Sequence, residues 1–276
     1  MKADIRYGKH EISFYRTHPT RVLLAGRVTV DVFGANFLPA YTEGDNRNVV
    51  ATDTMKNFVY AMALEYQDAT HEGFAAFLAR RFLQTYPQMQ SLRIFLRELP
   101  FAAHSEKLLS PLDDDYGTVE LEADRSGLGG LRCGRRNLRL VKLTGSAFRR
   151  FVRDAYTTLP EVSDRPLCIF LDVHWRYASM ADALSEDASS FIPSEQVRET
   201  VRSTFDEFVS MSIQHLEHEM GQRLLVRFPS MSEASFEAQN RLWDTSVVSE
   251  TDPKIRVYSD PKPAHGVIGL TLRRDG

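Results

Sequence analysis

The hydrophobic pattern of this chain changes its period twice in each half, and this order limits the folds that the sequence can adopt. Valines recur at every second position of residues 28–32, which is the pattern of a half-buried strand, and residues 12–15 favour a hairpin partner upstream. Two helical faces follow, built by Met55, Val59, Met62 and Tyr66 and by Phe74, Phe77, Leu78 and Phe82. Alternation returns at residues 92–96 and 119–121. The first half therefore predicts the order strand, strand, helix, helix, strand, strand.

The second half repeats this order without obvious sequence identity. Its predicted elements are strands at residues 138–143 and 167–175, helices starting at 193 and spanning 212–220, and strands at Phe236 and 267–272. Strands and helices segregated in this way favour an α+β fold, with antiparallel sheets and the helices on one face. The glycine-rich residues 127–130 lie between the halves and are interpreted as a hairpin or a boundary.

Composition narrows the possible partners. The net charge is -3 and the sequence pI is near 6.3. This near-neutral balance of acidic and basic residues gives no reason to expect nucleic acid or an acidic membrane surface as a binding partner. No run reaches the roughly 18 apolar residues that a membrane-spanning helix needs. Cys133 and Cys168 form no CxxC pair, residues 1–4 lack a signal-peptide pattern, and residues 273–276 are not a peroxisomal signal. We therefore expect a cytoplasmic location.

Four segments carry a family resemblance. Residues 6–9 read Arg-Tyr-Gly-Lys, and residues 49–57 read Val-Val-Ala-Thr-Asp-Thr-Met-Lys-Asn. Residues 148–165 include Asp-Ala-Tyr-Thr-Thr-Leu, and residues 212–214 read Ser-Ile-Gln. In this order and spacing they resemble the uricase (urate oxidase) family, over roughly residues 5–272. The second and third segments are the specific ones, since Tyr-Gly-Lys alone would mean little.

This resemblance implies a fold, an assembly and a reaction. The fold would be two tandem tunnelling-fold (ββααββ) units, residues 1–130 and 131–276, in a homotetramer whose active sites lie at subunit interfaces. The reaction would convert urate, O2 and water into 5-hydroxyisourate and hydrogen peroxide. The electron-rich urate anion itself would reduce oxygen, so no metal or organic cofactor is expected.

The resemblance also implies a set of substrate-binding residues. Arg165 corresponds to the arginine that grips urate, because a planar guanidinium offers a two-pronged donor to a urate edge. An ordinary surface ion pair with Asp164 or Asp154 is the alternative. Gln214 would donate to and accept from the purine edge, and Phe148 would stack on the flat ring. The remaining predicted substrate-binding residues are Ile213, through its backbone amide, Leu159, Asn240, Thr52 and Asp53.

Lys9 and Thr52 resemble the family's proton-handling pair. The resemblance implies that Thr52 and Asp53 come from the subunit next to the one that supplies Arg165 and Gln214. The alternative for residues 52–54 is a helix N-terminus capped by its own Thr and Asp side chains, and both interpretations are compatible. Asn240 matches the asparagine that holds oxygen or water above urate. The histidine that completes the relay in many members falls on Leu242 here.

Other interpretations have weaker support. His215 and His218 are spaced for one helical face near Glu219, but a solvated helix surface fits them better than a zinc site. The aspartates at 113–115 are predicted to form a charged surface loop. Two rival functions stay open: a related tunnelling-fold enzyme that uses zinc on a pterin or another purine, and a purine-binding scaffold without turnover.

Overall fold

The computed structural model describes residues 3–18, 21–185 and 190–274. The chain divides into unit 1 (Met1–Gly134 and Arg176–Phe191) and unit 2 (Arg135–Trp175 and Ile192–Gly276). The first elements of unit 1 are β1 (Arg6–His18), β2 (Arg21–Phe33), α1 (Leu38–Thr42), α2 (Thr52–Glu65), α3 (His71–Thr85), β3 (Ser91–Glu98), β4 (Phe101–Ala103), β5 (Leu109–Pro111) and β6 (Tyr116–Asp124). The chain continues with β7 (Gly127–Lys142), β8 (Leu167–Tyr177) and the short α4 (Met180–Ala183). Unit 2 ends with α5 (Ser194–Glu207), α6 (Ile213–Arg227), β9 (Met231–Asn240), β10 (Asp244–Val248), β11 (Arg256–Ser259) and β12 (Gly266–Arg273).

The core of unit 1 lies between a sheet and two helices. Strands β1, β2, β3 and β6 are neighbours in this order, and all three pairings are antiparallel. Val30 of β2 faces Ile94 of β3, and neither side chain is exposed to solvent. Helix α2 packs on β1, and α3 packs on β3 and β6. Burying each such aliphatic side chain contributes about 1.5–3 kcal/mol, so the period-two and helical faces read from the sequence supply the stability of this unit.

Unit 2 repeats the arrangement. Its strands are neighbours in the order β7, β8, β9 and β12, and β9 pairs with β12 in antiparallel register. Helix α6 packs on both β9 and β12 and on α5. The α6–sheet contact is close at Gly221, where an added Cβ would lie 3.1 Å from the Phe236 ring and 2.5 Å from Leu272. The buried Lys142 ammonium donates to the carbonyls of Phe205 (3.1 Å) and Phe208 (2.7 Å), which terminates α5.

The predicted α+β class with antiparallel sheets is confirmed, as are the predicted strands and helices. The glycine-rich stretch is confirmed as part of a hairpin, because β6 ends at Asp124 and β7 begins at Gly127, which has φ 136°. Among the described helices, none is both long and apolar enough to cross a membrane.

Several details differ from the predictions, among them the short β4–β5 hairpin, which was not predicted. Helix α2 begins at Thr52, but its N-cap is Ala51 and no side chain caps it, so the capping role predicted for residues 52–54 is wrong. The acidic run is only partly a surface loop, since Asp115 is 1% exposed. Between β9 and β12 the chain forms the additional hairpin of β10 and β11, whose side chains are almost all exposed and left no burial pattern to detect.

Strands β1 and β2 approach unusually closely at Gly8. A Cβ added there would lie 1.9 Å from the Val30 carbonyl oxygen, which is a backbone atom that has no rotamer to escape to. Just beyond Lys9 the pairing shifts register, and Glu11 adopts a φ of 56°. Such a bulge redirects the side chains beside it. The position of Lys9 is therefore fixed by backbone contacts on both sides.

We expect Gly8→Ala to lower the free energy of unfolding by about 1–3 kcal/mol or more, because the added methyl group forces the two strands apart. Denaturant unfolding followed by circular dichroism measures this change. Gly130→Ala is the matched control, since a Cβ there meets only the ends of two side chains at 3.7 Å or more. Equal stability of the two variants would contradict the close approach.

Candidate active site

The loop between β7 and β8 brings Phe148 and Arg165 together in unit 2. The Arg165 guanidinium carbon lies 5.7 Å from the centre of the Phe148 ring. Phe148 exchanges two backbone hydrogen bonds with Val162 (2.8 and 3.0 Å), and its ring stacks on Phe151 at 4.9 Å. The Arg165 backbone amide donates to the Ser146 carbonyl at 2.9 Å. Backbone pairing thus holds the two predicted ligand-binding side chains side by side.

Arg165 is half-buried, and no carboxylate in the described part of the chain pairs with its guanidinium. Its Nε is buried and has no hydrogen-bond partner among the described residues, and burial lowers the pKa of the guanidinium. The predicted alternative, an ion pair with Asp164 or Asp154, is wrong for this structure, because both carboxylates are bound within the loop. Asp164 accepts from the Thr144 hydroxyl (2.5 Å) and the Gly145 amide (2.7 Å), and these bonds hold the pKa of its carboxyl below the usual range. Asp154 accepts from residues 156 and 157.

A half-buried guanidinium without a counter-charge favours a binding position for an anion or a strong acceptor, because desolvating part of the cation is costly unless a ligand compensates it. The adjoining phenylalanine ring supplies an apolar face at the same place. This pair therefore fits a flat, negatively charged molecule.

The start of α6 is tied to the same loop. Ser210 forms a parallel bridge with Ser146: its amide donates to the Gly145 carbonyl (3.1 Å), and its carbonyl accepts from the Ala147 amide (2.8 Å). Two residues later, the Ser212 hydroxyl caps α6 by accepting from the His215 amide (3.1 Å). Ile213 and Gln214 therefore follow directly on the segment that pairs with the loop.

The first helical residues differ in exposure. Ile213 is 6% exposed, whereas Gln214 is exposed. Leu159 lies on the loop with 42% of its surface exposed, and its carbonyl accepts from the Arg153 guanidinium. The structure thus places Gln214 and Leu159 on the surface of unit 2. Gln214 directly follows the buried Ile213, and Leu159 lies on the loop that carries Phe148 and Arg165.

Asn240 ends β9 opposite Gly266 of β12, and its Oδ1 is buried without a hydrogen-bond partner in the described residues. Because α6 is joined to β9 by a short turn, the two elements run in opposite directions. From the Gly221–Phe236 contact, the chain rises about 10 Å along α6 to Gln214 and about 13 Å along β9 to Asn240. Asn240 and the first turn of α6 thus lie at the same end of this layer.

Lys9, Thr52 and Asp53 come together in unit 1. The Tyr7 hydroxyl accepts from the Val50 amide (3.2 Å), which ties the segment before α2 to β1. Asp53 is bound by Lys56 (2.5 Å) and Asn57 (3.1 Å) of its own helix. The hydrogen bond and charge of Lys56, and more weakly Asn57 and the charge of Lys9, hold the Asp53 pKa below its usual value.

Thr52 is the first residue of α2 and is partly exposed. The uncapped amides of this first helical turn create a favourable environment for negative charge. The residues predicted from sequence thus fall into two groups, Lys9, Thr52 and Asp53 in unit 1 and the remaining residues in unit 2. Tyr7, which fixes the first group, was not singled out from the sequence, since a tyrosine beside a Gly-Lys pair has no distinctive pattern.

The possible zinc residues on α6 do not assemble as a site. Glu219 is paired with Arg223 at 2.8 Å, and the His215 ring packs edge-on against Phe208 at 4.7 Å. Across the part of the chain that the structure describes, no group of three His, Cys, Asp or Glu side chains is placed to hold a metal ion.

Comparison with known proteins shows to which family this chain belongs. The sequence model of the family described as Uricase matches residues 5–111 and 131–269. The chain belongs to the uricase family.

Uricase relatives match along the full chain. The uric acid degradation bifunctional protein PucL of Bacillus subtilis is 36% identical, and the match covers 100% of this chain and 62% of that protein. The chain therefore spans less than two thirds of that bifunctional protein's length. The uricase of Haloferax volcanii is 38% identical, with 98% of each chain covered.

Solved structures of the family match the fold. The urate oxidase of Bacillus sp. TB-90 superposes with a TM-score of 0.93 at 33% identity, covering 98% of this chain and 100% of that chain. The uricase of Arthrobacter globiformis gives 0.89 at 28% identity, covering 100% and 96%. Sequence and fold thus agree on membership of the uricase family.

Proposed function

We propose that this chain is a urate oxidase that converts urate, O2 and water into 5-hydroxyisourate and hydrogen peroxide. The observation that carries the proposal is the half-buried Arg165 side chain beside the Phe148 ring, with its Nε buried and without a hydrogen-bond partner among the described residues. Urate is a flat anion with alternating donors and acceptors on its edges, so it matches both features. Family membership supports the same substrate.

The residues of unit 2 would bind and orient urate. Arg165 would donate two hydrogen bonds to one edge of the ring, and Gln214 would pair with the opposite edge. The backbone amide of Ile213 would add a donor from the first turn of α6, and Leu159 would close the side of the pocket. Phe148 would stack on the ring, while Asn240 would hold oxygen or water above it. Binding in one geometry lowers the entropic part of the barrier.

The residues of unit 1 would handle protons. Lys9 and Thr52 would exchange protons with urate or water, and Asp53 would organise the start of α2 through its bonds to Lys56 and Asn57. In our proposal these residues act on urate that is held by a neighbouring subunit of a homotetramer. Each active site would then lie at a subunit interface.

The chemistry balances without a cofactor. Urate gives two electrons to O2, water adds its oxygen to the oxidised ring, and the two protons required end on the peroxide. The protein would contribute positioning and proton transfer, with no metal or organic group. We further propose tandem tunnelling-fold units at residues 1–130 and 131–276, and a cytoplasmic location.

Turnover of urate tests this proposal directly. We expect purified protein in chelator-treated buffer to remove the ultraviolet absorbance of urate and to form one hydrogen peroxide per urate consumed. Urate binding without turnover would favour a purine-binding scaffold. Activity that appears only on adding zinc, with a pterin or another purine, would favour the related tunnelling-fold enzymes. Neither binding nor turnover of urate would overturn the assignment.

A further inference from the structure

Helix α6 carries a carboxyl group that no described contact explains. Glu217 is 1% exposed, and neither of its carboxyl oxygens has a hydrogen-bond partner in the described residues. A buried polar group without a hydrogen-bond partner destabilises the folded state, so such groups are rare and call for a functional explanation. Its neighbours on the buried face of α6 are apolar, namely Ile213, Leu216, Met220 and Leu224. An aliphatic residue at this position would stabilise the fold more than the glutamate does.

The surroundings of Glu217 bring the pKa of its carboxyl close to neutral pH, so that the neutral and the ionised forms coexist there. Burial raises its pKa to about 7, and the Ala238 backbone N–H offsets part of this rise without aligning as a hydrogen bond to either oxygen. The buried faces packed against α6 carry no ionisable side chain: α5 presents Val197, Thr200, Val201, Thr204 and Phe205, and β9 presents Ala234, Phe236 and Ala238. The less exposed positions of β12 are Ile268, Leu270 and Leu272. No charged group therefore contributes to the shift.

The position of Glu217 connects it to the substrate pocket. It lies one helical turn after Gln214, and side chains three residues apart share a helix face. Its strand neighbour Ala238 is two residues before Asn240, so the Ala238 and Asn240 side chains point to the same side of β9. The Glu217 carboxyl thus lies on the buried side of α6, near the end of α6 and β9 that carries Gln214 and Asn240.

The side-chain oxygen of Asn240 lacks the kind of hydrogen-bond partner that Glu217 can supply. Its Oδ1 is a buried acceptor without a donor, whereas a neutral carboxylic acid offers one O–H donor. An ionised carboxylate can only accept, so it would repel Oδ1 and favour the amide turned over with Nδ2 facing inward. The protonation state of the carboxyl therefore decides which end of the Asn240 amide faces the pocket.

We propose that Glu217 is a positioning residue for Asn240: its neutral carboxyl donates to Oδ1, directly or through one water, and so directs Nδ2 into the pocket. This inference rests on the proposed function, because the directed amide would hold oxygen or peroxide above urate. Glu217 touches neither reactant. It acts only through the orientation of Asn240.

The pH dependence of turnover tests the proposal through two substitutions. Glu217→Gln keeps a donor at every pH, so its kcat should equal that of the unsubstituted protein at pH 6 and exceed it above pH 8. The ratio of the two kcat values should rise through a midpoint near pH 7, where the native carboxyl ionises. Glu217→Leu fills the same space without a donor, and its kcat should be about tenfold lower at pH 6 with little change in KM. A flat ratio, or a fully active leucine variant, would overturn the proposal.

A double-mutant cycle separates this proposal from the function on which it rests. On an Asn240→Ala background, the Glu217 substitutions should leave kcat unchanged, because the group that they orient is gone. The same cycle measured by denaturant unfolding needs no turnover: the Glu217→Leu and Asn240→Ala effects on stability should be non-additive at pH 6. Additive effects would refute the contact even in an active enzyme. Coupling in a protein that does not oxidise urate would refute the proposed function alone.

Discussion

Arg165→Ala should raise the KM for urate by about two orders of magnitude. The substitution removes a charged two-pronged donor from a site that is partly desolvated, and such contacts are worth about 2–4 kcal/mol, at about 1.4 kcal/mol for each tenfold change. The main effect should fall on binding, since the contact exists in the ground state as well as in the transition state. Steady-state kinetics and calorimetric titration with urate under nitrogen measure the two consequences separately.

Two further variants make this result specific. Arg165→Lys keeps the charge but loses the planar fork, so its KM should lie between those of the alanine variant and the unsubstituted protein. Arg139→Ala is the matched control, because this exposed arginine also lies over a phenylalanine, 5.6 Å from the Phe170 ring centre. Its KM should be unchanged. If both alanine variants bound urate normally, Arg165 would have no role in binding.

Lys9→Met should lower kcat by about 10²–10⁴-fold, which is the usual contribution of a positioned proton donor or acceptor. Methionine retains most of the side-chain volume, and the close approach at Gly8 keeps the strand in place. Urate binding should therefore change little, because the groups proposed to hold the urate ring, Arg165, Gln214 and Phe148, belong to unit 2. Single-turnover measurements of urate loss and peroxide release report the chemical step without product release.

Thr52 provides the companion test for Lys9. Thr52→Ser keeps the hydroxyl and should retain most of the activity, whereas Thr52→Ala should lose it to a similar extent as Lys9→Met. The double variant should be no worse than either single one, since residues that act as a unit are not additive. Lys107→Met, in an exposed loop, controls for the loss of a positive charge. Normal kcat in Lys9→Met would remove this residue from the reaction.

The period of the hydrophobic pattern predicted most of the fold because burial and pattern coincide here. The valines of β2 and the phenylalanines of α3 lie where the alternation and the helical spacing placed them. The hydrophobic pattern carries no signal where side chains are exposed on both faces of a strand. It therefore does not predict the exposed β10–β11 hairpin. It also misled where a polar residue is buried, because Asp115 and Glu217 look like surface residues in the sequence.

The candidate site was predictable only as far as family motifs reach. Short motifs identified Arg165 and Phe148, and the structure adds their proximity and the missing counter-charge. No motif could reveal that Asp164 is occupied by backbone amides and a threonine hydroxyl, because these bonds depend on the path of the loop. The same holds for Ala51 as the N-cap of α2, since helix ends are set by tertiary contacts as well as by capping preference.

The loop that carries Phe148 and Arg165 has a consequence for how this family diversifies. Its shape depends on bonds of its own, from Asp164 to nearby amides and from Phe148 to Val162, and several of its side chains, such as Val152 and Tyr156, are about 90% exposed. Few core contacts are therefore at stake when its sequence drifts. In the site that we propose, substrate preference is thus separable from foldability, because the sequence of one surface segment can change while the sheet and helices beneath it stay intact.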